Sequence, residues 1–215
     1  MAEVKVLATQ RGGAAGAQTV PLQTNELHEL LTAQGLPPYS EMTRKGNGWS
    51  VQTATLMAPL VAIPTTVAAL EIYNNMSKTV LMVDDLFAAQ VLSTAASQTY
   101  AIFACVSTKK AAPTNTALSV FSSSGRASYA TTAAGRIVTG IGTTVVANGW
   151  RPWGPPQPWG TATATPGNAW SVPIEGRLMV PPGCALLLHL MGALATASTF
   201  QVGASFYEAD LDFVA

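Results

Sequence analysis

Residues 177–191 read RLMVPPGCALLLHLM, a Pro-Pro-Gly corner followed by an apolar run of eight residues with His189 inside it. A membrane helix needs about 20 apolar residues and the corner is a turn signal, so the run reads as a buried strand. Alternation then puts Cys184, Leu186, Leu188 and Leu190 on one face, with Ala185, Leu187, His189 and Met191 on the other. One apolar face fills the protein's own core. The second needs another cover, which places Leu187 and Met191 at an expected contact between subunits.

The segments around this strand share its period of two. In TFQVGASFYE, Phe200, Val202, Ala204 and Phe206 share a face opposite Gln201, Gly203, Ser205 and Tyr207, and the turn GALATAS suggests that this strand closes a final hairpin with residues 184–191. VAALEIYNN predicts a strand ended by Asn74-Asn75. KTVLMVDDLFAAQVL is long enough for a strand with a bulge or kink near Asp84-Asp85, and TYAIFACVST is a further strand. RIVTGIGTTVV and AWSVPIEGRLMV supply shorter candidates. Many strands separated by turn clusters, with no helical period between them, predict an antiparallel β-sandwich or barrel over residues 51–215.

Residues 1–50 read differently. QRGGAAGAQTVP has no apolar period and resembles an arm. A short helix follows: Thr24 and Asn25 can cap it, Glu26 and Glu29 suit its positive end, Leu27, Leu30 and Leu31 share a face, and Gly35 with Pro37-Pro38 ends it. So short a helix is marginal alone, and its leucine stripe is expected to dock on a neighbouring subunit. SEMTRKGNGW suggests one more helical turn before Gly46.

The 215-residue chain carries a formal net charge of zero, and charged residues make up 10% of it, against about 25% in an average soluble domain. Ala, Thr, Ser and Gly replace the missing charge, which weakens protection against self-association and points to a subunit of an assembly. Lys and Arg are dispersed, so nucleic acid is not an expected partner. With no leader pattern and no apolar run long enough for a bilayer, the chain is expected to fold in the cytoplasm without membrane contact. Cys105 and Cys184 read as two buried thiols or as a single disulfide.

Several motifs together resemble the jelly-roll virion proteins of tailed bacteriophages: the VPPG corner leading into an apolar strand, the Ala/Thr turn, the closing strand ending in FYE, and the segments NGWRPWG and LPPYSEMTRKGNGW. The resemblance implies a jelly-roll-like winding and a virion subunit, assembled in the host cytoplasm as a homo-oligomer, with a trimer as the expected form. Its implied partners are other virion proteins such as the major capsid protein, which it would decorate or cement.

Chemistry is sparse. The chain has only two histidines, His28 on the short helix and His189 within a strand, and neither stands beside an evident nucleophile. No zinc spacing, phosphate loop or HExxH is present, so neither enzyme activity nor a cofactor is expected. Adjacent Asp84 and Asp85 would point to opposite faces of a regular strand, and no metal is assigned to them. The most unusual stretch is NGWRPWGPPQPWGTATATPGNAW, where Trp150, Trp153 and Trp159 fall within ten residues interrupted by four prolines. Rigid indoles serve a subunit interface, intramolecular packing or, with Arg151, stacking on a glycan. Trp150, Trp153 and Trp159 are expected at an interface; Trp153, Trp159 and Arg151 form the glycan alternative, as in a tail-associated receptor-binding module.

Overall fold

The computed structural model describes residues 5–8, 18–21, 40–64, 68–93, 98–108, 118–125, 134–136, 149–159, 168–192 and 198–210. The chain divides into two compact units, Met1–Pro38 and Tyr39–Ala215. In the first, β1 (Lys5–Ala8) and β2 (Gln18–Pro21) pair antiparallel, so the stretch expected as an arm contains a two-stranded hairpin. Its strands are four residues each, too short for alternation to stand out beside the Gly and Ala between them. The expected helix with Leu27, Leu30 and Leu31, and most of RIVTGIGTTVV, lie outside the described residues.

The second unit opens on α1 (Ser40–Lys45), the helical turn expected before Gly46, which ends it at φ 84°. Eleven strands follow: β3 (Gly48–Gln52), β4 (Leu70–Tyr73), β5 (Thr79–Ser93), β6 (Gln98–Thr108), β7 (Phe121–Ser122), β8 (Ala134–Arg136), β9 (Arg151–Trp159), β10 (Ala169–Pro173), β11 (Met179–Val180), β12 (Cys184–Gly192) and β13 (Ser198–Asp210). One sheet has the order β10-β5-β13-β3-β7, with β11 also on β5; the other has the order β8-β4-β12-β6-β9. The protein is mainly β, two antiparallel sheets packed face to face as the period of two predicts. Leu70, Ile72, Leu186, Leu188 and Leu190 of one sheet meet Leu81, Val83, Phe200, Val202 and Phe206 of the other in a single buried core.

The expected hairpin of the last two strands does not form. β12 lies between β4 and β6, and β13 lies between β5 and β3 in the opposite sheet. Both are central strands, which accounts for their being the cleanest apolar patterns in the chain. Residues 193–197 between them are enough to span the ~10 Å separating packed sheets. The faces of β13 are as predicted, with Phe200, Val202, Ala204 and Phe206 all buried in the core.

The predicted irregularity in β5 falls where expected. Ser205 pairs with Asp85 and Phe206 with Val83, leaving Asp84 as an extra residue. Leu81 and Val83 face the core before it, Leu86 and Ala88 after it, so one inserted residue keeps apolar positions inward although their parity changes. The sheets are tied by directed polar contacts as well. Tyr100 Oη donates to Ser198 Oγ at 2.8 Å while its ring meets Phe200 edge-on at 4.7 Å between centroids. Fully buried Asn74 donates from Nδ2 to the carbonyls of Thr79 and Val180, both at 2.8 Å, and accepts from Met76 N–H, so the Asn74-Asn75 turn signal also closes a corner of the sandwich.

The second face of β12 has occupants within the chain. Ala185 and Leu187 belong to a separate buried cluster with Ala68, Tyr73, Cys105 and Trp150, and Leu187 is only 3% exposed. The apolar outer face therefore needs no second subunit at Leu187, and this motive for placing the residue at an interface falls away. Met191 is half-buried and bridges Leu60. His189 is buried, with Nδ1 at 2.8 Å from Leu190 N–H and 2.9 Å from the Leu190 carbonyl; burial lowers its pKa against an opposing pull from that carbonyl. Both cysteines are free thiols. Cys184 packs on the main core and Cys105 on the outer cluster, opposite faces of one sheet, and burial raises the Cys105 thiol to about 11.

Between β3 and β4 the chain laces the two sheets together. Met57 and Phe200 exchange backbone hydrogen bonds on one sheet; Leu60 N–H donates to Leu190 and Leu60 carbonyl accepts from Gly192 on the other. This strap presents Leu56, Val61 and Ile63 outward, 43%, 62% and 46% exposed.

Candidate functional site

Residues Arg151–Trp159 of the tryptophan-rich stretch form an edge strand in spite of their prolines. β9 pairs with β6 on one side only, and its four prolines are tolerated because an edge strand has a row of backbone positions with no ladder to satisfy. Tyr100 pairs with Gln157 but Ile102 with Trp153, so Gly154, Pro155 and Pro156 bulge outward opposite a single residue. β10 is the edge of the other sheet, and β9 and β10 face each other along one open side of the sandwich.

Gly154 sets their distance. It has φ 69°, and a Cβ there would meet Val172 Cγ2 of β10 at 2.8 Å. Only glycine fits both the left-handed conformation and the close approach. Trp153, 8% exposed, joins the main core and donates from Nε1 to the Ala104 carbonyl at 3.3 Å. Trp150, also 8% exposed, covers the outer cluster beside Leu187. Both indoles thus pack within the chain. The side chain of Trp159 lies outside the described residues.

Two guanidinium groups lie against Trp153. Arg151 lies over its ring at 4.4 Å from the centroid, and Arg177 at 5.7 Å. Arg177 is held by a turn that the β5 bulge grips: the Asp84 carbonyl accepts from Ile174 N–H at 2.6 Å and from Glu175 N–H at 3.0 Å, with Glu175 and Gly176 both left-handed. Its Nε then donates to the Ile174 carbonyl at 3.0 Å and its Nη2 to that of Pro173 at 2.6 Å.

Between the two edges lies a cleft of about 330 Å³ lined by Trp153, Gly154, Pro155, Gln157, Trp170 to Pro173, and Arg177. It adjoins a second of about 370 Å³ lined by Arg151, Pro152, Trp153, Gly154 and Arg177. Among the described residues, no carboxylate lines either one. Of the three residues of the glycan alternative, Arg151 and Trp153 are in contact and the side chain of Trp159 is not described; Trp170 and Arg177 line the clefts beside them. Arg177 carried no sequence signal for this role, since its partner strand is the edge of a different sheet.

The acidic pair sits at the β5 bulge itself. Burial, then the neighbouring charge of Asp85, raises the Asp84 pKa, while a hydrogen bond from Tyr207 opposes the rise. Among the described residues, no three His, Cys, Asp or Glu side chains are grouped to hold a metal ion, and no helix is long and apolar enough to cross a membrane. Compared with protein-family models, curated proteins and solved structures, the chain matches none.

Proposed function

We propose that this protein is a non-enzymatic structural subunit of a virion, a decoration or cement subunit that self-associates, as a trimer, and binds the major capsid protein. The observation that carries the reading is the strap: Leu56, Val61 and Ile63 stand out to solvent on a segment whose backbone is already bonded to both sheets. An ordered apolar ridge loses little conformational entropy on docking, and each Å² it buries contributes roughly 25 cal/mol. The low charge of the chain supports the same reading. So does the winding: most successive strands from β3 to β13 lie in opposite sheets, as a jelly-roll-like sandwich requires. Sedimentation of the full chain at micromolar concentration tests it. The wild type is expected to be oligomeric and Val61→Asp with Ile63→Asp to be a folded monomer; a monomeric wild type that also fails to load onto capsids would sink the proposal.

A second reading, a tail- or fibre-associated glycan-binding module, is favoured by the cleft between β9 and β10. There Trp170, Gln157 and Ser171 place an indole beside groups that hydrogen-bond hydroxyls.

A further inference from the structure

Arg151 and Arg177 bring two positive charges to one rim, and among the described residues neither has an acidic partner. Arg151 makes no hydrogen bond there, only its stacking on Trp153. Arg177 spends Nε and Nη2 on backbone carbonyls and keeps Nη1. Both groups are nonetheless held in place, one by an indole and the other by a turn. Such preorganised guanidinium groups, with no carboxylate among the described lining residues, are complementary to a carboxylate, which an arginine grips through paired N–H donors.

The remaining walls decide what carries that carboxylate. Trp170, Val172 and Pro155 are apolar surfaces, while Gln157 and Ser171 offer an amide and a hydroxyl at the same cleft. At about 330 Å³ the cleft is small, within the range of roughly 300–1,000 Å³ typical of small-ligand sites. An extended peptide would need backbone donors along the edge it joins. β9 has prolines at 152, 155, 156 and 158, so it has few N–H groups to offer.

We propose that the cleft between β9 and β10, together with the one it adjoins across Trp153, Gly154 and Arg177, binds an acidic saccharide, a sugar ring bearing a carboxylate, with Arg177 and, from the adjoining cleft, Arg151 on the acid and Trp170, Gln157 and Ser171 around the ring. The inference rests on the glycan-binding reading and adds to it the charge of the ligand; it does not depend on the assembly reading.

The full chain is titrated at constant ionic strength with glucuronate, glucose and a glutamate-rich hexapeptide, followed by tryptophan fluorescence and calorimetry. Glucuronate is expected to bind at least about tenfold more tightly than glucose, and Arg151→Gln to remove about that factor while leaving the melting temperature unchanged. Arg151 is the better probe because Arg177 also bonds its own turn. Equal binding of glucose and glucuronate would overturn the acidic-ligand proposal while leaving the glycan reading standing, and binding of neither would end both. Tighter binding of the peptide would make the cleft a peptide site and overturn the saccharide. Glucuronate binding that is unchanged in Arg151→Gln and in Arg177→Lys would place it elsewhere on the molecule.

Discussion

Asp84 links a local irregularity to the geometry of the cleft. Its position outside the β5–β13 ladder frees its carbonyl to hold the turn at Ile174 and Glu175, and that turn aims Arg177 at Trp153. Its side chain works against the fold. Burial and the charge of Asp85 raise its pKa above the ordinary 3.8, so between that value and the raised one the folded state binds more protons than the unfolded state. Stability from this group is therefore lost as pH rises from 3.8 through the folded pKa, the reverse of a salt-bridged aspartate. Asp84→Asn keeps an acceptor for Tyr207 and is neutral at every pH. It is expected to raise the melting temperature at neutral pH by up to about 3 °C, with the gain vanishing in acid; thermal melts across the acid range check this. A gain that persists fully protonated would mean that the effect is not one of charge.

At the level of elements, the cleft exists because two edge strands from different sheets approach each other, and at Gly154 they come close enough that no side chain fits. Adding a methyl group there meets Val172 and asks a non-glycine residue to hold φ 69°. Gly154→Ala is expected to cost about 1–3 kcal/mol, read by chemical denaturation, and to widen the seam so that tryptophan emission shifts to longer wavelength. Unchanged stability would show that β9 and β10 do not approach this closely at Gly154. The tryptophan-rich stretch was legible as exceptional from its spacing, but its state was not: prolines argue against a strand in general, and only the one-sided pairing of an edge makes room for them. Likewise β12 and β13 were legible as strands with correct faces, while their separation into two sheets was not, because alternation reports which side chains are buried and not which strand lies alongside.

At the scale of the molecule, the buried residues from Trp49 to Phe206 form their core wholly within the unit Tyr39–Ala215. A chain beginning at Tyr39 is expected to keep its β-rich circular dichroism and unfold cooperatively, with a melting temperature within about 5 °C of the full chain. Loss of the cooperative transition would assign residues 1–38 to the stability of the sandwich. The strap belongs to this scale too. Its Leu56, Val61 and Ile63 sit in a stretch with neither a helical nor a strand period, which is why pattern reading passed over these exposed apolar side chains and chose Leu187 instead.

What the amino-acid sequence determined by itself was periodicity and local conformation: the mainly β class, the inward faces of β12 and β13, the irregularity at Asp84, the helical turn stopped by Gly46. These follow from side-chain alternation and from backbone preferences that act over a few residues. Tertiary structure alone decided which strands are neighbours, that Trp150 and Cys105 cover Leu187, and that Arg151 and Arg177 lie against one indole across two sheets. Those contacts join residues as far apart as Gly48 and Tyr207, and a pattern of period two is satisfied equally by any partner that presents an apolar face.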